Sequence, residues 1–590
     1  MLTLLACLAP SPVPASLDAP APDVDFATLV PESALLVFLG DDLGAMRARA
    51  ETNAWWRLLQ DPAFVELLET LRANDDYKSM RDEIGMDPMG MMHQAFSLID
   101  DVAFFLEMPT GMDGKPLSTV LVRHSTEPKA LEAAEQLLKP FLTAMDEQGE
   151  AVAYRDGQRW SADGIRMVRE PGLLVVTGYF NGEEPLAEGE DEASRSTALD
   201  SRLDAIFAKL DGAGDGALGG GAALTDTSAW LASRSEADLA LELFFDVGAM
   251  MNAMAYDADL PEEGTQVFEN AGLVDMGRAH LAFDAGAGER LDYVGRIELG
   301  ANSALDRVLA FGNPVDLELL KRVPAEVLTV SLWSFDVLGA YTEILEMVEE
   351  FDPTGGDARS AVDVGLMMAE MELGVGLEEV LELFTGDMAS FGEAADLEDI
   401  DSATFAALIE EGVNPGMGTV LLFETVDGEM VQGVIADLLD AAELEAELVS
   451  TVGDVEVFSI DANEPLFTWA VQDDVLYFSI APGTLDTALA LVGSPDAATA
   501  ATARMFTGFE ELSKGALSAG MIENAGTAKQ VLSLMEGVGQ MIASEEPEAA
   551  ELINSLPWPD LSIVDAYLKG RTESRAVRVG SVFEFAYRSR

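Results

Sequence analysis

The segment Val30-Pro-Glu-Ser-Ala-Leu-Leu-Val-Phe-Leu39, followed by Leu43-Gly-Ala45, returns later in the chain as Val323-Pro-Ala-Glu-Val-Leu-Thr-Val-Ser-Leu332, followed by Leu338-Gly-Ala340. Three further matches keep the same order. Thr119-Val-Leu121 answers Thr419-Val-Leu421, Leu173-Leu-Val-Val-Thr177 answers Val475-Leu-Tyr-Phe-Ser479, and Tyr293-Val-Gly-Arg-Ile-Glu-Leu299 answers Arg578-Val-Gly-Ser-Val-Phe-Glu-Phe585. The spacing between partners is nearly constant, as a tandem duplication with loop drift leaves it. Each unit is far longer than a solenoid repeat of about 20–50 residues, so two domains of similar fold are expected rather than a stacked array. The chain has 590 residues, beyond the roughly 250–300 at which one core stops growing. The expected division is a leader and Pro/Ala linker over 1–25, a first unit over 26–312 and a second over 313–590, with the boundary at Asn313-Pro314.

The hydrophobic period shifts between two and about 3.6 along each unit. Ala34–Leu39, Val102–Leu106, Thr119–Arg123, Asp238–Phe245, His280–Phe283 and Leu291–Leu299 read as strands. Leu43–Leu59, Pro62–Leu71, Pro128–Met145 and Leu199–Leu210 read as helices, with Asp61 capping the second and Pro62 at its first position. Strands in meander pairs with irregularly placed helices give an α+β class: two tandem domains, each a mainly antiparallel sheet with helices on one face. Asn181–Asp200 and Asp211–Gly221 read as loops.

Charge narrows the partners. There are 34 Lys and Arg against 106 Asp and Glu, a formal net of −72. Such a surface repels nucleic acid and anionic bilayers. Between Arg359 and Arg504 there is no Lys, Arg or His. The carboxylates there lack local basic partners, so solvation or cations must hold them, and stability is expected to rise with salt.

The chemistry-bearing motifs are few. His93, His124 and His280 share no motif, and no GxSxG elbow, Walker loop or complete GxGxxG is present. Gly374-Val-Gly376-Leu-Glu-Glu379 starts like a dinucleotide loop but carries Glu379 at the third glycine position, where it would oppose a pyrophosphate. It reads as a helix entry. Met86, Met89, Met91, Met92 and His93 group soft ligands suited to monovalent copper, although methionine is also an adaptable core filler and the matching region Val375–Glu382 has neither residue type. Asp396, Glu398, Asp399 and Asp401 form an acid cluster in the segment without basic residues, where weak divalent-cation binding is the alternative to a solvated loop. No catalytic residue, and no cofactor beyond such cations, is assigned.

The only cysteine is Cys7, which leaves no disulfide in the folded body. Leu4-Leu5-Ala6-Cys7 resembles the lipobox of bacterial lipoproteins, and Ser11–Pro22 resembles a tether after a secretory signal. Lipidation of Cys7 and export to a bacterial periplasm, outer envelope or medium are the expectation, with no membrane-spanning helix. Val30–Leu39, Leu43-Gly-Ala45 and Trp55-Trp-Arg-Leu-Leu-Gln-Asp-Pro62 together resemble the start of uncharacterised exported bacterial proteins with domains of unknown function. That resemblance implies no activity. The reading is a non-catalytic exported protein that binds a partner or an apolar ligand between its two similar domains. The alternatives are a hydrolase built from carboxylates distant in sequence and a metal-buffering protein.

Overall fold

A computed structural model describes residues 25–31, 33–73, 78, 99–107, 116–124, 152–155, 157–162, 164–179, 192–211, 241–251, 266–267, 269–352, 357–394, 417–460, 467–480, 484–492, 499–500, 503, 506–545 and 553–590. The architecture is mixed helix and antiparallel sheet, an α+β arrangement. The chain divides into two compact units, residues 1–260 with 276–298, and residues 261–275 with 299–590.

In the first unit the order is β1 (Ala34–Gly40), α1 (Leu43–Ala50), α2 (Ala54–Leu59), α3 (Pro62–Ala73), β2 (Ile99–Glu107), β3 (Leu117–His124), β4 (Val152–Tyr154), β5 (Gly157–Ala162), β6 (Ile165–Glu170), β7 (Leu173–Tyr179), α4 (Glu192–Leu210), β8 (Leu241–Asp246), β9 (Arg278–Ala285) and β10 (Leu291–Glu298). These ten strands lie side by side as β4-β5-β6-β7-β3-β2-β1-β8-β9-β10, every neighbour antiparallel. Local chemistry explains the helix starts. Asn53 interrupts the expected Leu43–Leu59 helix because its side chain turns back to cap the N–H groups of Trp55 and Trp56. Asp61 accepts from Ala63 N–H at 3.0 Å, with Pro62 at the first helical position.

One sheet face packs Val37, Leu39, Ala103, Phe105, Leu121 and Val175 against Leu203, Ile206, Phe207 and Leu210 of α4. The other packs Val120, Val122, Leu174 and Val176 against Leu43, Met46 and Ala50 of α1 and Trp56 of α2. Helices therefore cover both faces, which corrects the expectation of helices on one face. The physical reason lies in β7, buried at every position: a strand apolar on both sides needs cover on both. The expected loop over 181–200 is corrected from Glu192 onward, where α4 begins. Its polar residues there are anchored, with Arg166 donating to Ser196 Oγ at 2.5 Å and to Asp200 Oδ1 at 3.0 Å.

The second unit runs α5 (Ala304–Leu309), β11 (Thr329–Ser334), α6 (Val337–Phe351), α7 (Asp357–Leu373), α8 (Leu377–Leu381), β12 (Phe384–Ala394), β13 (Met417–Thr425), α9 (Gly428–Ala441), β14 (Glu447–Val452), β15 (Val455–Ser459), β16 (Phe467–Gln472), β17 (Val475–Ile480), α10 (Thr484–Val492), α11 (Phe509–Ser513), β18 (Ser518–Glu523), α12 (Asn524–Glu545), α13 (Val564–Tyr567), β19 (Arg571–Val579) and β20 (Val582–Ser589). Gly376 caps α8, so the near-dinucleotide motif is a helix entry. The strands lie side by side as β14-β15-β16-β17-β13-β12-β11-β18-β19-β20, all antiparallel. Counted from β1 and from β11, the two orders are the same.

Register refines the sequence matches. Val37 faces Phe105, which faces Thr119, while Val330 faces Phe391, which faces Val420. Thr119 thus stands where Val420 does, one residue from the sequence match, and one residue exchanges the faces of a strand. The match of Tyr293-Val-Gly295 to Arg578-Val-Gly580 does not hold in space. Val294 lies within β10 opposite Ala282, whereas Val579 ends β19 at the turn with Gly580, whose φ of +62° suits glycine.

Candidate functional site

The face of the second sheet that packs into its core carries Val330, Leu332, Ala389, Phe391, Val420, Leu422 and Tyr477, covered by Leu485, Ala488 and Leu489 of α10. The opposite face presents two rows of side chains. Cross-strand pairing aligns Trp333, Met388, Phe423, Leu476 and Val471 in one row, and Ser331, Ser390, Leu421, Phe478, Trp469 and Phe458 in the next. Aromatic contacts tie them together. Phe467 stacks on Phe478 at 5.9 Å, Phe458 on Trp469 at 6.1 Å, and Phe384 meets Phe423 edge-on at 6.0 Å.

The equivalent second row of the first unit is Phe38, Phe104, Val120, Val176, Met167 and Trp160, and its Val120, Val176 and Met167 are buried. In the second unit Trp469 is buried, Met388, Leu421, Phe423, Leu476 and Phe478 are only half-buried, and Trp333 is 36% exposed, while Phe38, Phe104 and Trp160 of the first unit are also half-buried. The difference follows from where the following helices pack. In the first unit Leu43, Met46 and Ala50 of α1 press on the sheet. In the second, the buried Met347 and Phe351 of α6 join Ala271, with Ala304 and Val308 of α5 packed alongside, away from the two rows. Arg307 holds α6 there through Glu343 and Glu350. Helix α9 is fixed by its start: a Cβ on Gly428 would lie 2.1 Å from the carbonyl oxygen of Asp473, so only glycine allows that approach to the β16–β17 turn.

Helix α7 adds a second apolar surface. Val364, Met367, Met368 and Met371 recur at i, i+3, i+4 and i+7 and share one helix face. They are 51, 52, 62 and 78% exposed. Val362 and Leu366, on the other side, are half-buried. Gly374, with φ +74°, ends the helix by donating its N–H to the Glu370 carbonyl at 2.8 Å.

The surroundings are acidic. Asp336, Asp427 and Asp352 cap α6, α9 and the start of α7 through backbone N–H groups, and Arg322 and Arg359 reach Asp473 and Asp363 at 3.1 and 2.8 Å. A separate carboxylate cluster lies in the first unit at the end of β1. Asp101 accepts the Asp42 N–H at 2.9 Å and pairs with Arg123, whose guanidinium sits 4.8 Å over the Phe26 ring. Asp41, although its side chain reaches solvent, is pushed up to about 6, first by loss of water around it and then by a hydrogen bond to Asp101 and the charges of Asp101, Asp25 and Asp42. Asp100 is raised as well, first by burial and then by the charge of Asp101.

Cys7, the group Met86, Met89, Met91, Met92 and His93, and the group Asp396, Glu398, Asp399 and Asp401 lie outside the described residues. His124 and His280 are buried, and His280 meets Glu242 at 2.9 Å. Among the described residues, no group of three or more His, Cys, Asp or Glu is arranged to hold a metal ion, and no helix is long and apolar enough to cross a membrane. Sequence reasoning passed over Met367, Met368 and Met371. Their spacing was the available signal, but it does not tell an outward stripe from a core stripe.

No protein-family model matches the chain, and no curated protein matches it. A solved structure described as crystal form I of TP0453 is similar over 48% of this chain and 80% of that one, with 8% identity and a TM-score of 0.22. At that level the likeness assigns neither fold nor function.

Proposed function

We propose that the chain is a non-catalytic, exported binding protein built by tandem duplication, and that the open sheet face of its second unit takes an apolar ligand. The duplication is supported by the identical order of ten antiparallel strands in each unit. The observation that carries the binding reading is the contrast at equivalent central positions, where Val120, Val122, Leu174 and Val176 are buried in the first unit and Leu421, Phe423, Leu476 and Phe478 are only half-buried in the second. An apolar surface kept partly in water costs about 25 cal/mol for each Å² left uncovered, and covering it is what a ligand supplies. With no basic residue between Arg359 and Arg504, a fatty carboxylate finds no counter-charge from that segment. A neutral ligand fits better.

Nile red, a neutral dye, tests this. Its emission is expected to rise and shift to the blue with the native chain, and to do so far less with Phe423→Asp or Leu421→Asp. Equal emission from native and variant proteins would sink the reading.

The second reading, carboxylate hydrolysis, is favoured by the Asp41–Asp101 pair, whose members come from distant segments and share a hydrogen bond. Against it, both oxygens of Asp101 are engaged by Asp42 N–H and Arg123. Any esterase or glycosidase turnover that Asp41→Asn abolishes would reverse this preference.

A further inference from the structure

We infer that the outward stripe of α7 docks a basic amphipathic helix of a partner protein. Four observations carry this. Val364, Met367, Met368 and Met371 form a continuous apolar stripe at i, i+3, i+4 and i+7, and all four are more than half exposed. Helix α7 packs against α6 and α9, and Val362 and Leu366, on the side opposite the stripe, are half-buried, so the stripe is not the face that holds the helix in place. A solvent-facing stripe of this kind marks an interaction site on a soluble protein, and its spacing is the pattern by which one amphipathic helix lies along another. Three of the four residues are methionines, whose unbranched side chains re-pack around partners of different shape.

Charge chooses the occupant. Glu370, Glu378 and Glu379 lie beside or just beyond the stripe, the cation of α7 itself, Arg359, is engaged by Asp363 at 2.8 Å, and no Lys, Arg or His follows in the sequence until Arg504. A partner bringing Lys or Arg along the edges of an apolar stripe meets these carboxylates. A second copy of this chain, net −72, would bring acid against acid, and an anionic bilayer is repelled in the same way. Helix α7, 17 residues long, offers about 25 Å of length, enough for four to five turns of a docked helix.

The docking does not require the open sheet face, so the two readings fail separately. The test uses the full chain and a fluorescein-labelled peptide of about 18 residues, Leu and Lys only, with Leu at i, i+3, i+4 and i+7. Fluorescence anisotropy is expected to show binding that weakens as salt rises, and that is at least roughly tenfold weaker for a scrambled peptide of the same composition and for a Leu/Glu peptide. Met367→Ser/Met368→Ser/Met371→Ser is expected to lose at least roughly tenfold in affinity, and Met371→Lys to lose a similar factor by repelling the peptide. Circular dichroism, the melting curve and Nile red emission of both variants should match the native chain, because these side chains already face water. Four outcomes overturn the inference: a scrambled peptide that binds as well; variants that bind unchanged; binding of phosphatidylcholine vesicles but not of the peptide; and a dimer by sedimentation that the triple variant abolishes. Unchanged Nile red emission alongside any of these would leave the sheet-face reading standing.

Discussion

Replacing Asp41 by Asn should stabilise the first unit at neutral pH and leave it unchanged in acid. The carboxyl of Asp41 is pushed from 3.8 up to about 6 in the folded chain, by loss of surrounding water and by Asp101, Asp25 and Asp42. Its folded-state value thus lies above its unfolded value, so the folded state holds the proton more tightly. That preference is fully present below about pH 4 and is lost as pH rises through about 6, where the folded chain must carry a carboxylate among carboxylates. A rise from 3.8 to about 6, at about 1.4 kcal/mol for each tenfold change in proton affinity, sets an upper limit of about 3 kcal/mol. Asp41 reaches solvent, and screening by water and ions reduces this to about 1 kcal/mol. The Asn amide keeps a donor toward Asp101 and removes the charge. Differential scanning calorimetry of both proteins from about pH 3.5 to 8 should show melting temperatures that coincide in acid and separate by about 2 °C above pH 7 in favour of the variant. Subtracting the two curves removes the titration of the other acids. A difference that stays flat with pH, or an Asn variant that melts lower at pH 7, would refute the electrostatic account.

Glu107, 2% exposed, pairs with Arg202 of α4 and accepts from Ser33 Oγ, and burial lowers Arg202 to about 10. Glu107→Ala should therefore cost about 3–5 kcal/mol by leaving a buried charge unpaired, while the double change Glu107→Leu/Arg202→Met should recover most of it in urea unfolding. Phe391→Ala, at a 1% exposed position, should cost about 3–5 kcal/mol, whereas Phe423→Ala on the half-buried face should cost well under half as much and reduce Nile red binding instead. Equal costs at the two positions would mean the sheet face is closed in solution. Added sodium chloride should raise the melting temperature of the second unit, whose long segment lacks basic residues. A melting temperature indifferent to salt and to divalent ions would mean those carboxylates do not repel one another appreciably.

Much of the local structure was legible in the residues themselves. The strands at 102–106 and 119–123, the Asp61–Pro62 helix start and the Gly376 helix entry appear within the expected segments, because period, capping side chains and glycine act over a few residues. Other expectations failed where distant partners decide. The 192–200 stretch looks like an acidic loop, yet it is the first half of α4, held by Arg159 and Arg166 on neighbouring strands. Arg578-Val-Gly580 imitates Tyr293-Val-Gly295 in letters but runs from the end of β19 into a turn, since pairing with β20 sets where β19 stops.

Composition and order alone determined the acidity, the long stretch without basic residues, the recurrence of Val-Pro strands and the spacing of Val364, Met367, Met368 and Met371. Only the tertiary structure decided that helices cover both faces of the first sheet, that Asp41 and Asp101 meet, that the aromatic rows of the second sheet are half-buried, and that one face of α7 is exposed. Periodicity says which side chains share a face, but exposure depends on what packs against that face. Here the choice turned on whether α6 leaned on the sheet, as α1 does, or on Ala271, Ala304 and Val308.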